Sequence, residues 1–196
     1  MKRALCLAVL TAGLASGCAS AARYMEEVHP SRKIVAPPDL ATVVFVRPSK
    51  LAFAVSANII DEGGRFIGDI PAKGHFAAVV PPGHHTFVIW AENTDALSAD
   101  LAPGRIYFIE VYPSMGAFSA QMHMKAIKPS LPNWSRRDQW MQETTQFRAD
   151  QAGGQENLVR KGEEKVRERV RRGMEHMSKY EGEKLDSRTL GAGDGV

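Results

Sequence analysis

The chain has 196 residues, a formal net charge of +3 and 44% hydrophobic residues. A charge so close to balance sets up no global field that would steer nucleic acid to it, and the length suits one core of ordinary size plus an extension. The only cysteines, Cys6 and Cys18, lie near the N-terminus, so the body of the chain forms no internal disulfide and its fold rests on packing.

Met1-Lys2-Arg3 is a positive start, residues 4–14 are apolar apart from Thr11, and small residues then lead into Cys18, the layout of a secretory signal. The apolar run is too short to span a bilayer, which takes about 20 residues. Leu14-Ala15-Ser16-Gly17-Cys18 resembles the lipobox of bacterial lipoproteins, where the thiol is acylated and the leader is cut just before it. Ser16 and Gly17 fit that pattern, while Ala15 stands where leucine is usual and Leu14 lies one step further back. The resemblance implies a signal peptide over 1–17, lipid attachment (palmitate or similar) at Cys18, and a bacterial cell-envelope lipoprotein held to the membrane by its acyl chains. Two or more such chains anchor a protein stably where one does not. Ala19, rather than Asp, after the cysteine implies outer-membrane retention facing the periplasm, by resemblance to enterobacterial sorting. Ala19-Ser20-Ala21 is also a small-x-small site for ordinary signal peptidase, and a cut there would release a soluble periplasmic or secreted binding protein. Loss of Lys2 and Arg3 with the leader brings the charge to +1.

Residues 18–40 carry Pro30, Pro37 and Pro38 with no sustained period and read as a tether reaching about 25 Å on average. From 41 to 128 one theme repeats: runs rich in Val, Ile, Phe and Tyr, separated by Gly and Pro turns. This predicts a mainly β domain, an antiparallel β-sandwich of about seven to eight short strands. Ala41 to Arg47 is almost wholly apolar and suits a central strand covered on both faces. Three hairpins are expected: Val55–Asp61 with Arg65–Ile70 around Glu62-Gly63-Gly64, His75–Val80 with His84–Ala91 around Pro81-Pro82-Gly83, and Ala96–Leu101 with Arg105–Val111 around Ala102-Pro103-Gly104. The last strand alternates, with Phe118, Ala120, Met122, Met124 and Ala126 on a buried face and Ser119, Gln121, His123 and Lys125 on a wet one.

Ala41-Thr42-Val43-Val44-Phe45-Val46-Arg47-Pro48, Gly74-His75-Phe76, Pro82-Gly83-His84-His85 and Leu101-Ala102-Pro103-Gly104-Arg105-Ile106-Tyr107-Phe108 resemble the pattern of bacterial lipoproteins grouped as domain of unknown function 2846, over Leu40 to about Lys128. In outline the stretch is similar to PEGA-like β-sandwich domains, although the Pro-Glu-Gly-Ala tetrapeptide is absent. Val46 stands where the family often has an aromatic. The resemblance implies an envelope lipoprotein with a sandwich domain and no assigned enzymatic activity, and it carries shape rather than chemistry.

Residues 129–184 form a helical extension. Ser135-Arg136-Arg137-Asp138 opens a short helix with a serine N-cap, pinned to the β domain by Trp134, Trp140, Met141 and Phe147. Gly153-Gly154 breaks it. Gln155 to about Lys184 then reads as one helix of roughly 45 Å, with Glu156/Arg160, Glu163/Arg167, Glu168/Arg172 and Glu175/Lys179 at i,i+4. Its narrow stripe of Val159, Val166, Val170 and Met177, edged by Met174 and Tyr180, suits one partner helix or a groove and would allow coiled-coil self-association. The basic run from Arg160 to Arg172 interleaves acids and reads as a solvated, ion-paired face, with contact to anionic headgroups or an acidic partner as the other use. Residues 185–196 read as a disordered tail.

His75, His84 and His85 could in principle hold zinc for a metal-dependent hydrolase, but neighbouring strand residues point to opposite faces and no acid or cysteine falls at ligand spacing. No metal site, cofactor or catalytic residue is therefore assigned, and His123 reads as solvated. G-x-S-x-G, H-E-x-x-H and P-loop motifs are absent. The expected function is a non-catalytic binding or scaffolding domain tethered to the envelope, with an envelope protein as partner and no nucleic acid.

Overall fold

The computed structural model describes residues 23–55, 57–116 and 120–196. The proposed leader 1–17, Cys18, Phe118 and Ser119 lie outside the described residues. Among the described residues there are eleven strands: β1 (Met25–Glu27), β2 (Ala41–Arg47), β3 (Asn58–Ile60), β4 (Phe66–Asp69), β5 (Gly74–Val80), β6 (Gly83–Trp90), β7 (Thr94–Leu101), β8 (Ile106–Met115), β9 (Ala120–Ile127), β10 (Thr145–Ala149) and β11 (Thr189–Leu190). The helices are α1 (Arg137–Glu143), α2 (Gln151–Lys161), α3 (Glu163–Met177) and α4 (Gly182–Asp186).

The protein is mainly β, as its composition of short β-branched and aromatic runs demands, with two mixed sheets and a few helices. A six-stranded sheet runs β1-β10-β5-β2-β8-β9, and a five-stranded one runs β11-β7-β6-β3-β4. Three of the neighbouring pairs are parallel, β10 with β5, β11 with β7 and β2 with β8, and the others are antiparallel, so the expectation of an antiparallel fold is met in part. Two of the connections between the sheets are proline-rich. Pro81-Pro82 and Pro103 lack N–H donors and cannot extend a ladder, and each carries the chain from one sheet to the other. Thus β5 pairs with β2 and β10, β6 with β3 and β7, and β8 with β2 and β9, so two of the three expected hairpins are sheet crossings. The β3–β4 hairpin forms as expected, with Gly64 at φ +77 in its turn.

Both sheets contribute side chains to one core, including Val43, Phe45 and Ile109 from the first and Ile59, Phe87 and Leu97 from the second. Phe45 and Phe87 meet edge to face at 5.3 Å, a favoured aromatic geometry. Two smaller clusters cover the remaining faces. Trp140, with Trp134 and Met141 packed against it, shares one with Val44, Val46, Phe108 and Ile127, while Leu158 and Val166 share the other with Ile60, Phe66, Val88 and Ala96. Every residue of β2 is consequently buried, which is why its sequence shows no alternation.

Several boundaries depart from the sequence reading. The stretch 18–40 is no free tether beyond Tyr24, because β1 pairs antiparallel with β10 and Gln146 clamps Arg32 through Arg32 N–H at 2.6 Å and Arg32 C=O at 3.0 Å. Ser135 caps no α-helix: its hydroxyl donates to Pro132 C=O inside a 3₁₀ turn over Pro132–Arg136. Phe147 is a strand residue packed on the shared core. Gly153 and Gly154 sit within α2 rather than ending a helix. Asp150 caps α2 by accepting from Gly153 N–H at 3.0 Å, and a side chain at Gly154 would meet the Phe66 ring at 2.1 Å. The single long helix is instead divided at Gly162, whose φ of +97 is left-handed backbone that favours glycine. The tail 185–196 is ordered, since Leu190 is buried in the shared core and Ile106 exchanges backbone hydrogen bonds of 2.8 and 3.0 Å with Val196.

Candidate functional site

The three sequence-proposed imidazoles are not brought together. His75 lies buried on β5, its Nδ1 at 2.8 Å from Thr144 Oγ1, and burial lowers its pKa, offset only in part by the Thr144 backbone. His84 is exposed against Asp100. His85 shares a bond with Pro81 C=O at 2.9 Å and stacks on Phe87. Among the described residues no group of three His, Cys, Asp or Glu side chains is placed to hold a metal ion, and no helix is long and apolar enough to cross a membrane.

The basic run across α2 and α3 is spent locally. Arg160 pairs with Glu156, Arg167 with Glu163 and Arg172 with Glu168, while Arg171 takes both Glu168 and Glu175. Lys161 and Arg169 turn inward over the Trp90 ring.

Of the expected stripe, Val166, Val170 and Met177 pack onto the five-stranded sheet. Val159 stays 69% exposed and Met174 52%. These two line a groove of about 810 Å³ between the β3–β4 turn and the helices, with Leu158, Val166 and Val170 on its floor and Glu62, Glu163, Arg167, Arg171 and Glu175 on its rim. Its wall along α3 runs about 22 Å at about 1.5 Å per residue. Tyr24 packs on the same sheet beside α2, edge to face with Phe66 and bonded to Arg160.

The densest polar cluster was not anticipated. β9 is the outer strand of its sheet, and side chains near the start of β7 take up its outward N–H groups. Met122 N–H donates to Asn93 Oδ1 at 2.8 Å and Met124 N–H to Asp95 Oδ2 at 3.1 Å. Asp95 is 1% exposed and also accepts from Tyr180 O–H at 2.9 Å, from Ala96 N–H at 2.9 Å and from Arg188 at 3.1 Å. His123 Nδ1 lies 3.2 Å from Asp95 Oδ2. On the other side of the ring, His123 Nε2 is 2.9 Å from Ser114 Oγ.

Burial alone would raise the pKa of Asp95, but the His123 bond, the Arg188 charge, Met124 N–H and Tyr180 outweigh it and hold the carboxyl below its ordinary value. Burial would lower Arg188, yet Asp95 beside it and then Tyr112 raise it overall. Burial and the Asp95 charge push the Tyr180 phenol up. The ion pair is therefore fixed at neutral pH. Asp95 is then an acceptor only, so its bond with His123 is donated by Nδ1–H, and in the neutral Nδ1–H tautomer Nε2 accepts from the Ser114 hydroxyl.

A polar cavity of about 360 Å³ opens beside this cluster, lined by Gln121, His123, Arg169, Arg172 and His176 among others. His123 is thus half-buried with two side-chain partners, which corrects its reading as solvated. Sequence alone offered one faint signal, an aspartate at the start of the otherwise Ala- and Leu-bearing β7. Tyr180 and Arg188 sit more than eighty positions along the chain and gave none.

No protein-family model, no curated protein and no solved structure matches this chain.

Proposed function

We propose that this chain is an envelope lipoprotein, anchored through acylated Cys18, whose β-sandwich presents the α2–α3 groove to a lipid acyl chain. The groove is the observation that carries the reading: an open apolar floor about as long as four helical turns, with two large side chains left uncovered and a rim of mutually paired charges. An exposed apolar patch of this kind marks a binding surface on a water-facing protein. The N-terminal geometry agrees with a membrane as the source of the ligand. From Cys18 to Arg23 a fully extended chain covers at most about 18 Å, and Tyr24 is fixed beside α2. An anchor at Cys18 would therefore hold the Tyr24 side of α2 near the lipid surface.

Metabolic labelling with a palmitate analogue tests the anchor. The label is expected in wild-type protein and absent from Cys18→Ser, and an unlabelled wild type beginning at Ala22 overturns it. Titration of the purified protein with a fluorescent fatty acid tests the groove. Saturable binding weakened at least tenfold by Val159→Asp is the expected result, and equal binding by both proteins overturns the assignment.

A further inference from the structure

We infer that Ser114, His123 and Asp95 form a nucleophile, base and positioning carboxylate able to cleave a small ester. This site lies apart from the groove and goes beyond the binding role proposed above, and it departs from the expectation of a non-catalytic domain. Three neighbouring strands build it, with Asp95 on β7, Ser114 on β8 and His123 on β9. The order of contacts is the one an activated serine requires: Ser114 Oγ at 2.9 Å from His123 Nε2, and His123 Nδ1 at 3.2 Å from Asp95 Oδ2. Activation of this kind is recognised by geometry and role and not by sequence position. Asp95 is locked by Tyr180, Arg188 and two backbone N–H groups, so the imidazole it holds is oriented before any ligand arrives. Because Arg188 neutralises part of the Asp95 charge, the carboxylate contributes orientation and tautomer choice more than field.

Gln121 pairs with Ser114 across the β8–β9 ladder and lines the same cavity as His123. Directly opposed residues of an antiparallel pair keep Cβ atoms about 5 Å apart, so its side-chain amide is the donor within reach of an oxyanion formed at Ser114. Arg169, Arg172 and His176 share the cavity wall with Glu92, so the wall is polar and of mixed charge. In the reaction, Ser114 Oγ bonds to the ester carbonyl carbon as its proton passes to His123 Nε2. The C–O bond to the alcohol then breaks and the alcohol leaves with that proton. Water next attacks the acyl-serine, gives a proton to His123, and the acid departs as Ser114 recovers its hydrogen.

The experiment treats the purified full chain with a fluorophosphonate probe, followed by peptide mass spectrometry and by turnover of nitrophenyl acetate and nitrophenyl hemisuccinate. The expected result is a single adduct on Ser114 and turnover of both esters, each absent from Ser114→Ala and reduced at least tenfold in His123→Gln. Asp95→Asn is expected to label slowly at pH 7 and to recover as the pH rises, which a purely structural carboxylate would not produce. No adduct on the wild type, an adduct at another serine, or equal labelling of His123→Gln overturns the inference. An unchanged pH profile in Asp95→Asn removes Asp95 from it. Fatty-acid binding in the groove is measured separately, so either reading can fail without the other.

Discussion

Asp95 and Arg188 make an unequal pair, and the inequality can be measured. In Asp95→Ala the Arg188 guanidinium, 5% exposed, keeps the Tyr112 hydroxyl at 3.1 Å and the Tyr112 and Tyr180 rings but loses the one carboxylate it pairs with among the described residues. Removing one partner of a buried ion pair costs about 3–5 kcal/mol, and the open Met124 N–H and Tyr180 hydroxyl place this variant at the upper end. In Arg188→Ala, Asp95 retains bonds from His123, Tyr180, Met124 and Ala96. The charge-assisted bond to Asp95 is lost, worth about 1.5–3 kcal/mol, while the Tyr112 hydroxyl that is also released is half-buried and turns to water. The double variant no longer buries a lone guanidinium, so its cost should resemble that of Asp95→Ala alone and fall about 2 kcal/mol short of the sum. In a chain of this size each kcal/mol moves the melting temperature by about 2–4 °C, which puts Asp95→Ala some 10–20 °C below wild type. Denaturant unfolding followed by the fluorescence of Trp90, Trp134 and Trp140 gives all three free energies. Equal single costs, or a double variant additive to within about 0.5 kcal/mol, would refute the reasoning.

Asp95 also sets an acid dependence. Its folded pKa lies below the ordinary 3.8, so its contribution is complete above that value and is lost as pH falls through the folded one; acid melts should show a steeper decline for wild type than for Asp95→Asn. Leu190→Ala should cost about 2–5 kcal/mol in denaturant titration, whereas a cost below about 1 kcal/mol would mean the C-terminal strand is not part of the core. Gly154→Ala gains about 1 kcal/mol of helix propensity but drives a methyl to 2.1 Å from the Phe66 ring, so net destabilisation of about 1–3 kcal/mol is expected in the same assay, and a stabilised variant would show that α2 can lift away freely.

Periodicity made the strands legible and left their partners obscure. β2 declared itself through an unbroken apolar run, and β9 through the alternation of Met122, Met124 and Ala126, because burial on two faces or one writes itself into local sequence. The proline connections read equally well as hairpin turns or sheet crossings, since a turn residue fixes local dihedrals and says nothing of which strand lies alongside. β10 was hidden between helical signals: Thr145–Ala149 becomes a strand only because β5 and β1 offer edges to it. The stripe of α3 was visible, and its destination, the outer face of the molecule's own sheet, was not. The Ser114–His123–Asp95 arrangement had no spacing to betray it, as its members meet only after β7, β8 and β9 have come together.

The fold delays its own completion. β1 waits for a partner strand that follows more than a hundred positions later, and the shared core receives Leu190 last. A chain emerging from the ribosome N-terminus first therefore cannot settle into its native sheets until residue 190 is made, and such distant pairings form slowly even then. That lateness would suit the export proposed above, since a polypeptide not yet folded can be threaded through a secretion channel.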